Sequence, residues 1–299
     1  MEGAIPLRKA RHIYTVRSLQ HRDDIRQLLS PHRSYAALAL GYLEPHLFPR
    51  AHYFLAEGDQ GRALLFYATS SPISFTLTLG DDRALEAVLR LHQGPRWTFF
   101  SLETHHQPVV GRYFSLSQTN LMLRMGVDRS TYAPPGLIAN VRVVRLRGKD
   151  IEPINRLYST EGGPAAYPAR AIDEGVYYGA LVNGKLVAIA GTHIVAPEEG
   201  IAVVGNVFTH PHYRGRRLAT MVVGAVTEHL LSLCPNVYLT VDANNRAAIA
   251  LYSRLGYKVE GTLLETPAVR RDFLGISSWL RRVWAQRRGG DQGREIVIL

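Results

Sequence analysis

The chain has 299 residues, 46% hydrophobic and 20% charged, enough for two domains with separate cores. Its formal net charge of +10 points to anionic partners: a phosphorylated cofactor, nucleic acid, anionic lipid or an acidic protein. A single cysteine, Cys234, excludes a disulfide framework and a cysteine zinc site within one chain and suits a reducing, cytoplasmic setting. The opening MEGAIPLRKARHIY lacks the apolar run of a signal peptide, and no run approaches the ~18 apolar residues of a membrane span.

Residues 1–12 are basic and read as irregular. Asp23 to Leu29 starts a helix that Pro31 closes, and Tyr35 to Leu43 is a second, more apolar helix. Strand-like runs follow at His52 to Glu57, Ala63 to Ala68 and Ile73 to Leu79, with turns at Gly58–Gly61 and Ser70–Pro72. Asp81 and Asp82 are placed to cap a helix through Leu91, and Trp97 to Leu102 and Leu121 to Met125 read as further strands. The prolines and glycine of Thr131 to Gly136 mark a linker. This gives an N-terminal α/β domain over 1–132, a second domain over 137–267 and a basic helix and tail over 268–299.

The second domain opens with a strand over Ala139 to Leu146 and a helix over Asp150 to Tyr158, then a loop from Glu161 to Pro168. Gly175 to Val182 and Leu186 to Val195 pair as a hairpin across Asn183-Gly184, a type I′ turn signal. Ile201 to Phe208 is a short Val- and Ile-rich strand that Pro211 ends. Leu218, Val222, Ala225, Val226, Leu230 and Leu233 then recur at helical spacing until Pro235. Between strand and helix lie Arg214, Gly215, Arg216 and Arg217. A helix start offers free N–H groups and a positive dipole end, Gly215 lets a ligand approach the backbone, and the arginines add charge, so this junction suits a phosphate or pyrophosphate. Neither a Walker loop nor a G-x-G-x-x-G fingerprint is present. Val237 to Val241 alternates as a strand, Asn244 and Asn245 are good helix caps, and Gly256 is a plausible stop for the helix that carries Ala247, Ala248, Leu251 and Leu255.

These two blocks resemble the GNAT superfamily of acyl-CoA N-acyltransferases. The family's Arg/Gln-x-x-Gly-x-Gly/Ala motif falls on Arg214 to Ala219, with Arg217 where the family usually has glycine. Its later Asn-x-x-Ala-x-x-Leu-Tyr-x-x-x-Gly-Phe/Tyr pattern matches Asn245, Ala248, Leu251, Tyr252, Gly256 and Tyr257. The resemblance implies a mixed, mostly antiparallel α+β (α/β) sheet flanked by helices, in which Val204 to Thr209 splays from Val237 to Val241. It further implies acetyl-CoA as co-substrate. The pantetheine would lie along Val207, Phe208 and Thr209, and the pyrophosphate on amides from Arg214, Gly215, Arg216, Arg217, Leu218, Ala219 and Thr220. Asn245 would touch the pantetheine or phosphate end, and Tyr252 would stand near the sulfur. Each assignment has a plainer alternative: a solvated helix start for the arginines, a cap for Asn245 and core packing for Tyr252. Arg217 either points away from the ligand or adds a contact to a phosphate. The overall layout resembles glycine N-acyltransferase-type enzymes, which makes the first domain a degenerate copy of the second; an unrelated α+β domain is the alternative.

Acyl transfer to an amine needs a base, an oxyanion donor and an acid for the departing thiolate. Tyr252 is the expected acid and a backbone amide near Thr209 the oxyanion donor. Glu161, His193 and Asn206 are the polar residues expected nearest the acceptor, Glu161 and His193 as candidate bases and Asn206 with Glu161 as substrate contacts. His193 in an apolar strand is equally a core histidine, and direct transfer in a ternary complex with water carrying the proton needs none of them. The acceptor is expected to be a primary amine of a small molecule or amino acid, with a protein N-terminus or lysine as the alternative. A non-catalytic acyl-CoA-binding sensor or interaction protein is the other class. No helix-turn-helix, zinc-finger or RNP pattern supports nucleic acid, and no metal is expected despite His105–His106 and His210-x-His212, since no H-E-x-x-H occurs. Finally, Arg270 to Arg287 carries Phe273, Leu274, Ile276, Trp279, Leu280, Val283 and Trp284 at near-helical spacing. It reads as a helix packed on the domain, a partner or homodimer contact, or a membrane-surface helix. The last residues, GGDQGREIVIL, start flexible and finish apolar.

Overall fold

The computed structural model describes residues 12–69, 74–136, 138–161, 167–272, 275–289 and 295–299. The expected irregular start, the Ser70–Pro72 turn, most of the Glu161–Pro168 loop, Phe273 and Leu274, and the glycines of 290–293 lie outside the described residues, in whole or nearly so. The chain forms two compact units. The first holds the described parts of 1–25, 50–119 and 264–299; the second holds 26–49 and 120–263.

This division differs from the 1–132, 137–267 and 268–299 split read from the prolines. The reason is the path of the chain. Residues 26–49 and 120–132 join the second unit, and the described residues of 264–299 join the first.

In the first unit, β1 (Ile13–Leu19) pairs antiparallel with β2 (Ala51–Gly58), which continues through β3 (Gly61–Ala68) to β4 (Ser74–Gly80). β4 then pairs parallel with β5 (Trp97–Leu102) over Ser74–Leu77. α3 (Asp82–Leu91) makes the parallel crossover and α4 (Gln107–Tyr113) follows β5. Ala84, Leu85, Val88 and Leu91 of α3 form an apolar stripe, fully or almost fully buried, against Tyr14, Val16, Leu65 and Phe100. The three-residue β6 (Phe114–Leu116) and the end of the long strand β13 (Lys258–Arg270) complete this sheet, with Leu264–Val269 opposite Leu102–Trp97. β14 (Glu295–Ile298) pairs with β1, and α9 (Ile276–Gly289) leaves Trp279, Leu280 and Trp284 exposed.

In the second unit, β7 (Asn120–Val127) pairs antiparallel with β12 (Asn236–Asp242). β12 pairs parallel with β11 (Ile201–Thr209), and β10 (Lys185–Ala196), β9 (Tyr178–Val182) and β8 (Val141–Arg145) follow antiparallel. The β9–β10 turn has Asn183 at φ 50° and Gly184 at φ 76°, the two left-handed residues a type I′ turn requires. α7 (Leu218–Leu233) crosses from β11 to β12 and buries Leu218, Val222, Val226 and Leu230 on the sheet. α5 (Ile151–Tyr158) and α6 (Ala169–Glu174) lie between β8 and β9 in the chain, and α8 (Arg246–Arg254) follows β12. Two short helices from the start of the chain also belong largely here. α1 (Arg22–Leu29) sets Arg26 in a two-pronged ion pair with the buried Glu199, at 2.7 and 2.8 Å. α2 (Ala37–Gly41) meets β10 where Gly41 faces Ile194 at a distance that leaves no room for a Cβ.

Both halves of the sequence run strand, two helices, three strands, helix, strand, helix, strand. The two halves thus repeat one order of elements, and the mixed, mostly antiparallel sheet with flanking helices is the α/β architecture expected from the second half. No helix among the described residues is long and apolar enough to cross a membrane.

Candidate functional site

β11 and β12 pair only over Ile201–Val203 and Asn236–Tyr238. Beyond that point they part, and a cavity of about 740 Å³ opens in the second unit. That volume lies in the range of small-molecule and cofactor sites. One wall is Val207, Phe208 and Thr209 of β11; the floor is the turn and first residues of α7; the other wall is Asn245, Ala248, Leu251 and Tyr252 of α8.

The turn explains the charge and the glycine. Gly215 has φ 76° and open space where a Cβ would stand. Arg217 also has a left-handed backbone, φ 58°, immediately before α7, and no side chain caps the helix. The amides of Leu218, Ala219 and Thr220 are thus the free donors of a helix start, and all three residues line the cavity. A glycine would adopt the Arg217 conformation without strain, which is the physical reason for glycine in the motif this turn resembles.

The three arginines separate. Arg214 and Arg217 line the cavity, whereas the Arg216 guanidinium lies over the Tyr213 ring, 5.2 Å from its centroid. Arg214 forms an ion pair with Glu161 and reaches the Thr209 carbonyl from Nε at 3.3 Å. Arg254, at the end of α8, is a further cation on the cavity wall that the sequence pattern did not single out. Neither Arg217 nor Arg254 has a carboxylate partner among the described residues.

Asn245 caps α8, its side-chain oxygen accepting from Ala248 N at 3.0 Å, and lines the cavity as well. Tyr252 is buried at the inner end, and burial pushes its hydroxyl pKa up to about 12, so it holds its proton at neutral pH. Gly256 stops the helix at φ 91°, with the Thr131 carbonyl where a Cβ would be. The Thr209 hydroxyl oxygen is buried and has no hydrogen-bond partner among the described residues. A buried, unpaired polar atom is costly unless something else satisfies it.

The acceptor-side candidates fall at two β-bulges. The β10–β11 register shifts between Ile189 and Gly191, where Asn206 takes φ 54° on β11. Both amide hydrogens of Asn206 are engaged, with the Tyr177 hydroxyl at 2.9 Å and the Thr192 carbonyl at 3.3 Å, and Tyr158 donates to the Asn206 carbonyl at 2.9 Å. Tyr167 and Tyr177 share a hydrogen bond of 2.8 Å. Burial pushes the Tyr158 and Tyr177 hydroxyls well above the ordinary phenol range. This tyrosine network, with Phe208 5.7 Å from the Tyr158 ring, was not singled out in the sequence; its only signal was the number of tyrosines between 158 and 178.

His193 is the extra residue of the second bulge, between Thr192 and Ile194. Its ring crosses Gly205, the neighbour on β11 that has no Cβ to obstruct it. The side chain keeps solvent contact, yet the protein mass around it, with the Arg124 charge adding, pushes its pKa down to about 4. It is therefore a neutral imidazole outside the cavity lining. Glu161 stands beside Arg214 at the cavity mouth. Cys234 is buried, and its thiol is pushed up to about 11 by that burial, which suits an unreactive side chain.

The acetyltransferase (GNAT) family model matches residues 149–257, the stretch that supplies this cavity. That stretch is a GNAT domain. A probable spermine N(1)-acetyltransferase of Bacillus subtilis subsp. natto is 32% identical over 92 residues, which cover 30% of this chain and 60% of that protein. The chain thus spans less than two thirds of that relative's length. A solved Drosophila protein has a TM-score of 0.61 at 14% identity, covering 85% of this chain and 98% of its own. A tandem GNAT protein from the clavulanic acid biosynthesis pathway has a TM-score of 0.51 at 15% identity over 86% of this chain and 98% of its own. Both likenesses are of fold, and both extend well beyond the GNAT domain itself.

Proposed function

We propose that the chain is an acyl-CoA-dependent N-acetyltransferase that moves an acetyl group from acetyl-CoA to a primary amine by direct transfer in a ternary complex. The observation that carries this reading is the cavity between the parted ends of β11 and β12, with the uncapped start of α7 at its floor. The residues fit an acyl-CoA. Free amides at Leu218–Thr220 and the cations Arg217 and Arg254 suit its phosphates. The open space at Gly215 admits the pyrophosphate close to the backbone, and the unpaired Thr209 hydroxyl suits a polar group of the pantetheine.

Acetyl-CoA supplies the activated acyl group. The β11 backbone facing the gap orients the arm and offers donors to a developing oxyanion. Tyr252, protonated at neutral pH, holds the proton for the thiolate. The amine sheds its own proton to water, since His193 lies off the cavity and Glu161 is already paired with Arg214.

The proposed acceptor is a small molecule or amino acid. The polyamine in the relative's name is a class to test directly. Tyrosines around Asn206 and a single carboxylate already engaged by arginine favour an amine with few other charges over a polycation. Thiol release on adding acetyl-CoA and a panel of amines, polyamines included, tests the reading. Release dependent on an amine and lost in Tyr252→Phe supports it. Stoichiometric acetyl-CoA binding with no release for any amine favours the non-catalytic sensor instead.

A further inference from the structure

We propose that the first unit carries a binding site for a divalent transition-metal ion, formed by Asp82, His105 and His106. The ligand-bearing atoms of all three lie within 4.8 Å of one another. Asp82 Oδ1 is 3.8 Å from His105 Nε2 and 3.9 Å from His106 Nε2. An ion about 2.1 Å from each ligand holds them roughly 3.4 Å apart, so only a small closure is needed.

Two further features point to a ligand. Asp82 Oδ1 is buried and has no hydrogen-bond partner among the described residues, although the rest of its carboxylate reaches solvent. Both imidazole Nε2 atoms converge on one oxygen, the Gly80 carbonyl, at 3.1 Å for His105 and 2.8 Å for His106. Two imidazole Nε2 atoms gathered beside an unpaired carboxylate oxygen is an arrangement that a cation would complete, displacing the Nε2 protons now shared with that carbonyl. The carbonyl becomes a fourth ligand atom near the ion.

The surroundings support the same occupant. His106 Nδ1 is 2.8 Å from Thr78 Oγ1, so in the metal-bound tautomer it donates there while Nε2 presents its lone pair. Metal-bound histidines are commonly held through their other nitrogen in this way. Two imidazoles and one carboxylate, with no thiolate, suit zinc, cobalt or nickel rather than magnesium or calcium. The ion would tie the first residue of α3 to the turn before α4.

The test uses the full chain, stripped with a chelator and titrated with zinc and with cobalt(II) by calorimetry and visible absorption. We expect one equivalent bound, and a zinc-dependent rise in Tm. Affinity falls at least tenfold in Asp82→Asn and in His105→Ala, whose side chains are half exposed and should not disturb folding. It is unchanged in the double variant His210→Ala, His212→Ala, and it weakens as pH falls. No binding at micromolar zinc overturns the proposal. So does binding that survives Asp82→Asn and His105→Ala, or binding lost in the His210, His212 variant, which would place the ion elsewhere.

Discussion

The two units build the same strand–helix junction and treat it in opposite ways. In the second, β11 and β12 part after three residue pairs and the gap stays open as a cavity. In the first, β4 and β5 pair as far as Leu77 and Ser101, and the fully buried His106 fills the space beyond, bonded to Thr78 and Gly80. The helix starts differ just as sharply. α7 begins after a left-handed, uncapped Arg217 flanked by cations, while α3 begins under the Asp81 carboxylate, which accepts from Arg83 N at 2.9 Å and Ala84 N at 3.1 Å. A carboxylate there satisfies the free amides and repels a phosphate. Under the proposed function, the fold alone does not make a co-substrate site; the few residues between strand and helix do.

The largest effect should come from the residue with no counterpart role in the first unit. Tyr252→Phe should lower turnover by about 10²-fold, at the low end of general acid catalysis, with acetyl-CoA affinity little changed. Equal turnover in steady-state assays would remove Tyr252 as the acid. Gly215→Val puts a β-branched side chain at φ 76° in the open turn, which should weaken acetyl-CoA binding about tenfold, from ~1–2 kcal/mol of backbone strain and lost approach. Asp81→Ala should cost about 1 kcal/mol of stability through the lost cap, seen by denaturant titration, and leave acetyl-CoA stoichiometry unchanged.

Smaller effects sharpen the picture. Arg217→Gly relieves the left-handed strain, so stability should rise by up to ~1 kcal/mol, while acetyl-CoA binding weakens a few-fold and becomes less salt-dependent. A gain in both would mean that Arg217 faces away from the ligand. His193 has a folded pKa near 4, below its ordinary value, so its neutral form favours the folded state. That contribution is complete above about pH 6.5 and is lost as pH falls toward 4. His193→Gln should flatten the fall in Tm across that window; an unchanged profile would show that His193 does not titrate there.

Much of this was legible in the sequence where local chemistry decides the outcome. Pro211, Pro235, the Asn183-Gly184 turn and the Asn245 cap set element ends that depend on neighbouring residues alone. The motif at 214–219 located the helix start, because glycine and arginine there answer to backbone conformation and charge. Elements set by distant partners were missed. β13 carries Gly261, Pro267 and two glutamates, and Val259 is exposed, so its pairing with β5 has no alternating signal of its own. β1 did alternate, with Tyr14 and Val16 buried between Thr15 and Arg17, but its charged neighbours obscured it. α4 and α6 are too short for a clear helical stripe. Tyr35 to Leu43 shortened to a five-residue helix, and the C-terminal helix starts at Ile276 rather than near Arg270, where Arg270 still belongs to β13. The candidate site was legible as a glycine- and arginine-bearing turn before a helix, with Tyr252 lining the same cavity. The tyrosine network around Asn206 and the bulge that holds His193 were not, because both depend on register across strands, and Arg254 was not, because its place depends on how α8 packs beside the cavity.

The most direct test of the contrast between the units is calorimetric titration of the full chain with acetyl-CoA. One site per chain, weakened by Gly215→Val and untouched by Asp81→Ala, is the predicted result. Two sites per chain would show that the first unit keeps a working copy, and no binding would show that the cavity between β11 and β12 is not a co-substrate site.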